Sequence, residues 1–116
     1  MIDNKDILEE TQEILINVIE SFKEMNEDNI EERLKFVKKA LIHLDDNVLK
    51  DNAFKGSDGA INELLKKIKR NINALTYAVV VFTAKDNIEK KRDMVTSWLT
   101  YYVKQINTHL GNGNGQ

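Results

Sequence analysis

The chain has 116 residues, 41% of them hydrophobic and 31% charged, a balance that fits one small globular domain with one core rather than a disordered polymer. It has no cysteine, which excludes disulfide frameworks, cysteine-ligated metals and thiol catalysis, and no proline, so the strongest helix breaker is missing from every position. The net charge of −2 hides an asymmetry: residues 1–32 carry eleven acids and two bases, whereas residues 33–116 carry fifteen bases and eight acids. The simplest expectation is internal complementarity, with an acidic first helix beside basic neighbours.

The opening segment MIDNKDILEETQE is acidic and polar where a secretory signal is basic and then apolar, so a cytoplasmic location is expected. From there Leu8, Thr11, Leu15, Val18, Phe22 and Met25 alternate spacings of three and four, which predicts a helix over about 4–25. Ile30, Leu34, Val37, Leu41, Leu44 and Val48 repeat the pattern and predict a second helix over about 30–50. Continuing the first stripe past Met25 reaches Asn29, Glu32 and Lys39, so the phase breaks and a turn is required. Asn29 with Glu32 has the spacing of a capping box for the second helix.

The stretch AFKGSDG, residues 53–59, reads as a loop, with Ser57 or Asp58 available to cap a third helix. Ile61, Leu65, Ile68, Ile72, Leu75, Val79 and Phe82 predict that helix over about 59–84. Its second half, within NINALTYAVVVFTA (residues 71–84), has no charge and is apolar on every side, and such a helix needs cover on all flanks. The β-branched run Thr76 to Thr83 would also suit a buried strand, but it has no partner strand and fits the helical stripe. Asp86 with Glu89 again has capping-box spacing. Ile88, Arg92, Val95, Leu99, Tyr102, Ile106 and His109 predict a fourth helix over about 87–110, stopped by Gly111. The tail GNGNGQ, residues 111–116, is expected to be disordered, leaving residues 1–110 as one domain.

Short connections make sequential helices antiparallel, so the expected fold is all-α, an up-down-up-down four-helix bundle. The chief rival is an open hairpin array completed by a second subunit.

Catalytic and metal chemistry finds little footing. A di-iron bundle needs Glu-x-x-His pairs, but Ala40 and Ile106 stand three before His43 and His109. His43 falls on the solvent side of the second helix, and His109 sits on the stripe near a helix C-terminus, where an imidazolium is favoured. The glycines form no phosphate-binding loop. Asp45 and Asp46 are adjacent and diverge on a helix; Glu9, Glu10 and Glu13 suit the dipole at a helix start. The expectation is therefore a non-enzymatic protein with no cofactor, no metal and no membrane span.

Apolar residues off the stripes carry the expectation about partners. Tyr77, Val80 and Val81 on the third helix and Met94, Trp98 and Tyr101 on the fourth form an aromatic-rich strip edged by Arg70 and Lys91. Antiparallel pairing about the third turn sets Tyr77 beside Met94, and Arg70 and Asn73 near Tyr101 and Trp98. Trp, Tyr, Met and Arg are the types enriched at protein interfaces. The expected function is that of an adaptor, a small chaperone or an inhibitor or immunity-type protein, with Arg70, Tyr77, Val80, Val81, Met94, Trp98 and Tyr101 contacting a protein partner or a second copy in a homodimer. The alternative is a small helical nucleic-acid-binding protein using Lys66, Lys67, Lys69, Arg70, Lys90, Lys91 and Arg92, since phosphate contacts need little more than clustered cations.

Overall fold

The computed structural model describes residues 4–49, 59–80 and 88–111. Four helices form: α1 (Asn4–Lys23), α2 (Ile30–His43), α3 (Gly59–Val80) and α4 (Ile88–Leu110), with no strand among the described residues. The expected caps Ser57, Asp58 and Asp86, and the tail beyond Gly111, lie outside the described residues. Helix α3 runs through Val80, so the part of the Thr76 to Thr83 run that is described is helical rather than extended.

The heptad stripes become the core. All six residues of the first stripe are buried, as are Val37, Leu41, Leu44 and Val48 of the second and Leu65, Ile68, Ile72 and Leu75 of the third. On α4 the stripe is buried from Val95 to Ile106, whereas His109 is exposed in the last turn. Gly111 ends α4 as expected: its φ of 76° lies in the left-handed region that glycine tolerates, and its amide donates to the Thr108 carbonyl at 3.3 Å.

Helix α1 is more deeply embedded than its stripe alone requires. Ile7, Ile19 and Ser21 are also buried, because α1 packs against α4 most extensively and also against α2, the end of α2's extension and α3. The α1–α4 pairing is antiparallel: Gln12 donates to the Val103 carbonyl and to Asn107, while at the other end Arg92 reaches the Met25 carbonyl. Among the described residues, the α3 and α4 backbones, although consecutive in sequence, are not among the closely packed pairs. The four-helix bundle is flattened, with extents of 45 × 32 × 18 Å, the thinnest dimension matching two helix layers of about 10 Å each.

Two local features differ from the sequence expectation. Asn29 precedes α2, but its side chain does not cap that helix. It turns back instead, accepting from the Asn26 amide at 2.7 Å and donating to the Glu24 carbonyl at 2.9 Å. Asn26 in turn accepts from the amides of Asp28 and Asn29. The pair of asparagines closes the α1–α2 turn, satisfying groups that the end of α1 leaves open. The second feature is at the end of α2, where the chain widens into a π turn, Leu44–Val48. The Leu49 amide donates to the Leu44 carbonyl at 2.7 Å, five residues back. Wider winding rotates later residues back toward the core, so Leu49 is fully buried. An unbroken α-helix would have left it on a flank.

Candidate functional site: the face shared by α3 and α4

The joint between α3 and α4 is built around Tyr102. Its ring is buried on the core side of α4, and its hydroxyl accepts from Asn71 Nδ2 of α3 at 2.5 Å. The same Asn71 amide donates to the Lys67 carbonyl at 2.9 Å, which fixes its orientation. Tyr101 packs edge-on to Tyr102, with centroids 5.3 Å apart and planes at 75°. Trp98 lies one turn earlier, 6.5 Å from the same ring. These are favourable aromatic geometries. The Asn71–Tyr102 pair matches the expected antiparallel register to within two positions.

Around this joint the side chains of α4 differ in exposure. Trp98 is half-buried and packs on the core, Tyr101 is 48% exposed, and Met94 is 67% exposed. Lys90, Met94, Trp98 and Tyr101 follow spacings of four, four and three, so they share one side of the helix. Exposed Lys67, Arg70 and Ala74 flank the α3 side of the joint. The backbones of Tyr77 and Val80 belong to α3, but their side chains, and Val81 altogether, lie outside the described residues. The side chain of Lys91 does too.

The cations do not act as one group. Lys66, Lys67, Arg70 and Lys90 are exposed. Lys69 is turned to the opposite edge of α3, where its Nζ donates to Asp45 Oδ1 at 3.1 Å and to the Asp45 carbonyl at 3.2 Å. Asn73 points the same way, not toward Trp98 as its spacing suggested. In the amide orientation that satisfies both its atoms, its nitrogen donates to Asp45 Oδ2 at 2.9 Å. Arg92 is half-buried, and its Nη1 donates to the Met25 carbonyl at 3.0 Å. A cation bonded to a carbonyl just past the C-terminal end of α1 also opposes the helix dipole favourably. Lys69 and Arg92 thus hold the bundle together.

Glu9, Glu10, Glu13 and Glu20 are exposed and join no ion pair among the described residues. Among the described residues, ion pairs form between Lys69 and Asp45 and between Arg33 and Glu24, the latter 2.9 Å long and partly exposed. The acidic α1 packs against the net-basic α4, as the charge asymmetry suggested, but Glu9, Glu10, Glu13 and Glu20 make no direct ion pair among the described residues.

His43 is exposed, with its Nδ1 3.0 Å from Asn47 Nδ2. Among the described residues no group of three His, Asp or Glu side chains is placed to hold a metal ion, and no helix is long and apolar enough to cross a membrane. No family model, curated protein or solved structure matches this chain.

Proposed function

We propose that this is a non-enzymatic binding protein whose working surface is the aromatic strip over the α3–α4 joint. The observation that carries the reading is the exposure of Met94 and Tyr101 on one side of α4, with Trp98 half-buried between them. Burying a large apolar side chain is worth about 2–3 kcal/mol, so several such residues left together in water favour a covering partner. Tyr102, pinned by Asn71 and in ring contact with both Trp98 and Tyr101, holds the strip in place before any partner arrives. Pre-organisation of this kind lowers the entropic cost of docking. Occlusion of a partner's own surface, as an adaptor, small chaperone or inhibitor would perform it, is the mechanism that suits a rigid helical face.

Nucleic-acid binding is the weaker reading. Lys69 and Arg92 are committed to Asp45 and to the Met25 carbonyl, which leaves fewer free cations than their clustering in sequence suggested. The test is affinity capture from the native host with wild-type protein and a Met94→Lys/Tyr101→Lys variant. Loss of captured protein in the variant, with its helical circular dichroism retained, is expected, at a cost of at least about tenfold in affinity. Unchanged capture contradicts the reading. Capture of nucleic acid, lost on neutralising Lys66, Lys67 and Arg70, would replace it.

A further inference from the structure

The strip has an aromatic centre and a border that carries three exposed cations. Among the described residues Lys67, Arg70 and Lys90 are exposed beside Met94, Trp98 and Tyr101, with exposed Glu63 one turn before Lys67 and Asp93 one turn after Lys90. A partner that covers this face must offer apolar side chains bordered by carboxylates. The same molecule carries such a surface. On α1, Glu9, Glu13, Ile16 and Glu20 follow spacings of four, three and four and so form one stripe, with Ile16 39% exposed among the acids. An open groove of about 460 Å³ runs beside it, bordered by Glu9, Glu13, Ile16 and Leu110, with Lys5 among its lining residues. No basic side chain among the described residues pairs with these glutamates.

Resting on the reading of the strip as a docking surface, we infer that its occupant is the acidic α1 face of a second copy of this chain. Met94 and Tyr101 of one molecule meet Ile16 and the groove beside Leu110 of the next, and Lys67, Arg70 and Lys90 face Glu9, Glu13 and Glu20. The two faces differ, so the contact is head-to-tail and leaves a free face at each end. A two-fold, strip-to-strip homodimer is disfavoured by the same charges, because it would bring the basic borders of both copies together.

Sedimentation of the full chain tests this with two charge-reversal variants, Glu9→Lys/Glu13→Lys and Lys67→Glu/Arg70→Glu/Lys90→Glu. Wild-type protein is expected to grow in mass with concentration, an association weakened about tenfold on raising salt from about 0.05 M to about 0.5 M. Each variant alone is expected to stay monomeric. Their equimolar mixture is expected to associate again and to grow with concentration, since the unaltered strip of one variant meets the unaltered α1 face of the other and the two reversed faces carry opposite charges. Wild-type protein that stays monomeric overturns the inference, as does a mixture that stays monomeric. Variants that still dimerise alone overturn it in favour of another interface. A monomeric wild type whose host capture is still lost in the Met94→Lys/Tyr101→Lys variant removes the self-docking and leaves the strip reading standing.

Discussion

Thr11 occupies a stripe position between Leu8 and Leu15 and is fully buried, yet its hydroxyl makes no hydrogen bond among the described residues. A buried hydroxyl without a partner loses its hydration and gains nothing in return. Valine has nearly the same shape without the polar atom. Thr11→Val is therefore expected to raise stability by roughly 1 kcal/mol, measured as a higher denaturation midpoint at unchanged slope. A loss of stability would mean that the hydroxyl has a partner after all. At this scale the sequence was informative about burial and less so about polar roles. The spacing of Thr11 put it in the core, where it is. The spacing of Asn29 suggested a helix cap, but hydrogen bonding with Asn26 and the Glu24 carbonyl wins locally, and spacing alone does not separate those choices.

Among the elements, the end of α2 shows what periodicity captures and what it misses. Phe36, Ile42 and Leu49 all lie off the stripe of the second helix, split by their spacing across its two flanks. In the structure Phe36 and Ile42 are largely exposed, whereas Leu49 is fully buried by the π turn. The expected consequence is a sharp contrast in thermal or urea unfolding. Leu49→Ala should cost about 2–4 kcal/mol, as a core truncation does, and Phe36→Ala less than about 1 kcal/mol. Equal costs would contradict the π-turn geometry. The depth of α1 was hidden for a related reason. A stripe shows which face is apolar, but the burial of Ile7, Ile19 and Ser21 depends on how many neighbours surround the helix, which only the tertiary arrangement sets. The start of α2 at Ile30 was legible from the break in the first stripe, whereas its end was not: the α-helix stops at His43 and gives way to the π turn, short of the expected 50.

For the whole molecule, the charge asymmetry visible in the sequence places the acidic α1 against the net-basic α4 without pairing its exposed glutamates. Glu9, Glu13 and Glu20 face outward and make no ion pair among the described residues. The bundle is instead joined by a few specific polar contacts: Gln12 with Asn107, Arg92 with the Met25 carbonyl, and Lys69 with Asp45. Burial of the four stripes drives the fold, while the charges are left free to choose what approaches it. The α3–α4 face was legible in part. Met94 and Tyr101 are exposed, whereas Trp98 leans into the core beside Tyr102. That division came from ring packing, which helix spacing does not encode.

A photo-crosslinking side chain placed at position 94, compared with one at exposed Lys38 on α2, addresses the central claim most directly. On irradiation in the native host, position 94 is expected to give a discrete covalent adduct and position 38 none. Adducts of equal yield at both positions, or none at position 94, would contradict the assignment of the α3–α4 face as the surface through which this protein works.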